Sequence, residues 1–231
     1  MNTDAMDVVI YFHGFALGAD GTPPLSTFVE VSGLWDADDG VTFARRARPT
    51  LVVIPRGDGK PFVNDSWPYR FPATIAQPER IIALALGKMA EARRLQSPTS
   101  PASIGKARLL LMAHSGGGLA VLQVLAKLKT PPTEIYLFDA LYQNADALVC
   151  WATAALTRRG TRLWVGYLGG TASCSEELAV NLAELLAGQP ARVTERFRVE
   201  PLDGCRIDHM VVPRAYAPLL LKGGRGPMPV S

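Results

Sequence analysis

Between the apolar run Leu109-Leu110-Leu111-Met112 and a second one opening at Leu119 lie six residues, Ala113-His114-Ser115-Gly116-Gly117-Gly118. An apolar strand that passes into a helix through residues this small makes a sharp, crowded turn, and a serine at its tip has its hydroxyl displayed above the edge of a sheet. The junction therefore commits this part of the chain to a strand followed directly by a helix. It also names the first candidate for chemistry.

The rest of the chain repeats the strand-then-helix unit. Short apolar or β-branched runs predict strands over 8–12, 50–54, 108–113, 134–138, 162–168 and 192–200. Helical spacing of apolar residues predicts helices over 75–95, 117–129, 144–159 and 175–187, with shorter ones over 25–31 and 213–221. Six strands alternating with helices imply an α/β fold, with one mostly parallel six-stranded sheet covered on both faces. Residues 1–222 are expected to form a single domain, and the Gly/Pro-rich tail 223–231 to fray.

Composition narrows the function classes. With 231 residues, 48% of them hydrophobic, the chain can bury one sizeable core. The net charge of +3 arises from 24 basic and 21 acidic residues mixed along the sequence, so no basic face for nucleic acid is implied. Apolar runs are too short to span a bilayer, and no signal peptide is visible. A soluble, cytoplasmic protein is expected. The odd count of three cysteines, Cys150, Cys174 and Cys205, favours free thiols, a Cys174–Cys205 bridge being the competing reading. The acidic stretch Asp36-Ala37-Asp38-Asp39 lacks the ligand alternation of a calcium loop and reads as a solvated turn. No phosphate loop, dinucleotide glycine pattern or metal-ligand cluster appears, so neither cofactor nor metal is expected. The expected partner is a small-molecule or acylated substrate; nothing in the sequence indicates an oligomeric state.

Sheets of this kind carry their chemistry beyond the carboxyl ends of the strands. His13, Arg56, Ser115, Asp139 and His209 all follow strands directly or nearly so. Acyl transfer by a serine needs a base for the hydroxyl proton, a carboxylate to orient that base, and backbone donors for the developing oxyanion. There are three histidines. His114 neighbours the serine and should point away from it, His13 precedes a loop suited to donors, and His209 is left as the base. Asp139, directly after an apolar run, needs a partner and is the leading acid; a cap for the next segment is its bland alternative, and Asp203, Asp208 and Glu176 are the other acids. The strand after that one ends in Gly169-Gly170-Thr171-Ala172-Ser173, with no carboxylate before Glu176. The connection 56–73, which mixes aromatics with Arg56, Asp58, Lys60, Asn64 and Asp65, is either a lid over the site or an aromatic plug for the core.

The order Ser115, Asp139, His209 on alternating βα units resembles the α/β-hydrolase superfamily over nearly the whole chain, and the compact sheet is similar to that of its smallest, cutinase-like esterases. Ala113 stands where the G-x-S-x-G elbow has its first glycine, and His13-Gly14-Phe15 resembles the family's His-Gly oxyanion loop. The resemblance implies a serine hydrolase with Ser115, His209 and Asp139 as triad and the backbone N–H groups of Phe15 and Gly116 as oxyanion donors. It implies too that the family's two leading strands are absent and that the acid follows the sixth family strand rather than the seventh. His13, Arg56, Trp67 and Tyr142 are the candidate substrate contacts. Cleavage of a carboxylic ester is the leading expectation, with an acylated sugar or a peptide-like acyl group as substrate. An amidase or peptidase would use the same residues. A non-catalytic binding module on the same fold would be expected to lack the serine or the histidine, and both are present.

Overall fold

The structure, a computed structural model, describes residues 5–14, 35–36, 40–41, 49–55, 58–59, 69–158 and 160–221. Six strands form the main sheet: β1 (Ala5–Phe12), β2 (Thr50–Val53), β3 (Gly105–His114), β4 (Glu134–Phe138), β5 (Arg162–Tyr167) and β6 (Phe197–Pro201). All neighbours pair in parallel, in the order β2-β1-β3-β4-β5-β6. The expected α/β architecture is present. β1 is buried from Met6 onward and β4 along its whole length, which is why Val8–Phe12 and Ile135–Phe138 read as unbroken apolar runs rather than as alternations.

The described helices are α1 (Pro72–Ala76), α2 (Pro78–Gln96), α3 (Gly118–Leu125), α4 (Asp146–Ala155), α5 (Ala172–Leu186), α6 (Ala191–Thr194) and α7 (Val212–Leu221). From β2 onward each crossover steps across the sheet in the same direction. Right-handed connections therefore place the intervening helices on one face. There Val8, Ile10 and Phe12 of β1, with Leu109, Leu111 and Ala113 of β3, meet Ile82 and Leu86 of α2, Val121 of α3, Leu148 of α4 and Leu178 of α5. On the other face Val9, Tyr11, Leu110, Met112 and Trp164 pack against Val212, Ala217, Leu220 and Leu221 of α7.

Several boundaries differ from those predicted. The expected helix 75–95 is two, because Pro78 opens α2 and forces Gln77 out of the helical region, to φ −142° and ψ 63°. The helix leaving the serine stops at Leu125 rather than Lys129; the Lys127 and Leu128 N–H groups both fold back onto the Val124 carbonyl. Residues 192–200 were expected to be strand throughout, but Pro190 starts the turn of α6, with Val193 N–H donating to the Pro190 carbonyl at 2.7 Å, and β6 begins only at Phe197. In the connection 56–73, Asp58–Gly59 pairs antiparallel with Tyr69–Arg70. Phe71 at its end is buried edge-on against Phe12 and His13, each at 5.1 Å between ring centroids, so this residue plugs the core. The predicted helix 25–31 and the tail 223–231 lie outside the described residues.

One feature at the amino end of the sheet was not anticipated. Asp7, fully buried on β1, and Glu134, nearly so on β4, share the guanidinium of Arg108 on β3: Arg108 Nε donates to Asp7 Oδ2 at 3.1 Å and Nη1 to Glu134 Oε1 at 3.0 Å. The Tyr136 hydroxyl donates to the same glutamate. Cys150, Cys174 and Cys205 are free thiols. Among the described residues no helix is long and apolar enough to cross a membrane, and no group of His, Cys, Asp and Glu could hold a metal ion.

Candidate active site

Strand order reverses between β1 and β3, and the crevice beyond the carboxyl ends at such a point is where parallel α/β sheets bind ligands. Ser115 sits there. β3 ends at His114, one 3₁₀ turn covers Ser115–Gly117, and α3 follows at once. Ser115 is held at φ +52°, a left-handed backbone that costs a non-glycine residue of the order of 1 kcal/mol or more and persists only where the surroundings impose it. Here they do. A Cβ on Gly118 would lie 1.7 Å from the Ala140 carbonyl oxygen, and one on Gly14, at the end of β1, would lie 2.6 Å from the Ser115 Cβ. The turn is wedged between the exits of β1 and β4, which explains the run of small residues that made it conspicuous.

The exit of β4 carries Asp139, also at positive φ (+45°), a conformation that aspartate tolerates better than most residues. Its Oδ2 is 2.6 Å from His209 Nδ1. Its Oδ1 accepts hydrogen bonds from Leu168 N–H, at 2.9 Å, and from the Thr171 hydroxyl. Burial alone would raise the carboxyl's pKa, but the hydrogen bonds from His209, Thr171 and Leu168 outweigh it and hold the group below its ordinary value. The anion is therefore fixed at neutral pH. The competing acids are engaged elsewhere: Asp208 caps the turn at His209–Val211 by accepting from Met210 N–H, Asp203 accepts from Cys205 N–H and pairs with Arg206, and Glu176 is exposed on α5.

His209 reaches this point from the loop after β6. Its carbonyl accepts a hydrogen bond at 2.9 Å from His114 Nε2, and the two imidazole rings lie 4.5 Å apart between centroids. His114 is buried; burial first and the neighbouring His209 second lower its pKa to about 4, against weaker opposing effects of its backbone hydrogen bond and of Asp139. It is thus neutral, with its proton on Nε2. Sequence reasoning turned His114 away from Ser115 but missed that it clamps the other histidine. Thr171 was missed too, although it occupies the stretch where a carboxylate had been sought.

His13 is buried after β1, with Nδ1–H donating to the Gly14 carbonyl at 2.8 Å. Burial lowers its pKa to about 4 in spite of backbone hydrogen bonds to Gly14 and Pro55, so it is a neutral brace for the loop leaving β1. Tyr142 is close to Ser115: burial first and Asp139 second raise the phenol's pKa, and the Ser115 hydroxyl opposes them. Gly116 follows the serine with its backbone half-exposed. Phe15, Arg56 and Trp67 lie outside the described residues. The structure thus brings Asp139 against His209, His114 against His209, and Tyr142 close to Ser115, with Gly116 next in the chain.

No protein-family model matches the chain, and no curated protein does. Among solved structures it is similar to that of the esterase PE8, at 18% identity and a TM-score of 0.43 over 95% of this chain and 93% of that one. It is also similar to the siderophore hydrolase EstB from Aspergillus nidulans, at 15% identity and a TM-score of 0.41 over 96% of this chain and 85% of that one. Likeness at this level carries no residue of the site over from either protein.

Proposed function

We propose that this chain is a serine hydrolase of the α/β-hydrolase type that cleaves a carboxylic ester through an acyl-enzyme on Ser115. The observation that carries the reading is the His209 Nδ1 to Asp139 Oδ2 contact of 2.6 Å, at the same end of the sheet as a serine held at positive φ. A carboxylate, an imidazole and a strained serine at the switch point of a parallel sheet are the parts acyl transfer requires.

In this mechanism His209 Nε2 takes the Ser115 proton as Oγ adds to the ester carbonyl carbon. The resulting imidazolium keeps its Nδ1–H on Asp139, whose charge offsets the one formed on the ring. The Gly116 N–H, at the amino end of α3, faces the developing oxyanion and is aided by the helix dipole; the Phe15 N–H is the second donor. His209 then passes its proton to the departing alkoxide. A water, deprotonated in turn by His209, adds to the acyl carbon, and Oγ leaves with the proton returned.

p-Nitrophenyl acetate is the direct probe. Wild-type protein should hydrolyse it, and Ser115→Ala should lower kcat by about 10⁴ or more, since removing the nucleophile disables the whole unit. Equal turnover by both proteins would refute the mechanism. Parallel assays with p-nitroanilide substrates separate an esterase from an amidase built on the same atoms.

A further inference from the structure

A recess opens beside the serine, lined by Gly116, Leu119 and Leu122 from the turn and α3, and by Ala140, Tyr142 and Gln143 from the exit of β4. Its free volume is only about 10 Å³, about the space one water needs. Leu119, Leu122 and Ala140 make its walls apolar. Tyr142, close to the Ser115 hydroxyl, and Gln143 complete the lining.

The tetrahedral carbon formed on Ser115 has three further substituents, and the surrounding groups assign them. The oxyanion must meet the Gly116 N–H, and the leaving oxygen must face His209, which protonates it. The acyl chain takes the remaining direction. The recess includes Gly116 but, among the described residues, not His209, so it lies on the acyl side.

We propose that this recess is the acyl-binding pocket and that Tyr142 limits it to short acyl groups, so that the natural substrate is an acetyl or similarly short ester. The inference rests on the esterase reading and adds to it a substrate class and a residue that sets it. An acetyl methyl lies at the mouth of the recess without displacing the phenol. A longer chain must displace Tyr142.

The test is a series of p-nitrophenyl esters from acetate to octanoate, read as kcat/KM for wild type, Tyr142→Ala, Tyr142→Phe and Leu119→Ala. Wild type should favour acetate over octanoate. Each extra methylene handled by an apolar pocket is worth about tenfold or more in discrimination, so Tyr142→Ala should lower the acetate-to-octanoate ratio by at least about tenfold. Leu119→Ala, which opens the recess from the opposite wall, should move the ratio in the same direction. Tyr142→Phe keeps the bulk and should keep the ratio. A ratio unchanged in both alanine variants, or a wild type that prefers octanoate, overturns the proposal while leaving the esterase reading in place. So does a Tyr142→Ala effect confined to a series of acetate esters with alcohols of increasing size, which would make the recess the leaving-group site. Absence of turnover on every ester, with no fluorophosphonate labelling of Ser115, overturns both readings together.

Discussion

Asp139→Asn removes a charge while preserving shape, because asparagine accepts the φ of +45° found there as readily as aspartate does. The wild-type carboxylate is 2.6 Å from His209 Nδ1. At an effective dielectric constant of about 20, the attraction between it and a full imidazolium charge is roughly 332/(20 × 2.6), or about 6 kcal/mol. His209 is 31% exposed, and screening by water reduces that by about half, to ~3 kcal/mol. This corresponds to about 10² in rate. The loss should be larger still. Oδ1 of Asp139 already accepts from both Leu168 N–H and the Thr171 hydroxyl, so the asparagine carbonyl oxygen will keep that place and turn its NH₂ toward Nδ1. His209 must then carry its proton on Nε2, the nitrogen that has to receive the serine proton. We expect kcat on p-nitrophenyl acetate to fall by about 10²–10⁴, with KM nearly unchanged, in protein whose circular dichroism and melting behaviour match wild type. A folded Asp139→Asn protein with kcat within about threefold of wild type would refute the reasoning and move the acid elsewhere.

Gly118→Ala should destabilise the fold by about 3 kcal/mol in urea denaturation, although alanine is the better helix former by about 1 kcal/mol, because the new Cβ would meet the Ala140 carbonyl oxygen at 1.7 Å; a stabilised variant would contradict the packing of the turn. Arg108→Ala should cost about 3–5 kcal/mol by taking the guanidinium away from the buried carboxylates of Asp7 and Glu134, and a loss under about 1 kcal/mol would show that the triad of charges is not closed in solution. His13 and His114, held at about 4 against an ordinary 6.5, bind a proton more readily in the unfolded chain. Stability should therefore fall as pH drops from about 6.5 to about 4, by about 2 kcal/mol per histidine at pH 5. Unfolding midpoints that stay level over that window, or a slope unaffected by His114→Gln, would count against their buried neutral state.

Much of the fold was legible because fully buried parallel strands advertise themselves: Val8–Phe12 and Ile135–Phe138 are unbroken apolar runs, and the crowding that demands Gly116-Gly117-Gly118 is local to one turn. Helix ends were less legible. Gln77 leaves the helix because of its proline neighbour, and Pro190 starts a turn inside a stretch whose composition suits a strand. At the site, Ser115, Asp139 and His209 each follow a strand and could be picked out by position. Thr171 and His114 could not, because a hydroxyl that serves a carboxylate 32 positions away and a ring that holds a carbonyl 95 positions away leave no local pattern. The Asp7–Arg108–Glu134 network was hidden for the same reason: each charge looks like an isolated polar residue at the edge of a strand until the register of β1, β3 and β4 brings them together.

The claim on which the rest depends is that Ser115 is a nucleophile activated by His209. Peptide mass spectrometry after reaction with a fluorophosphonate tests it directly. The account predicts one phosphonyl adduct per chain, carried by the peptide that contains Ser115, absent in Ser115→Ala and formed far more slowly in Asp139→Asn. An unmodified Ser115 in folded wild-type protein, or an adduct on a different residue, would contradict it.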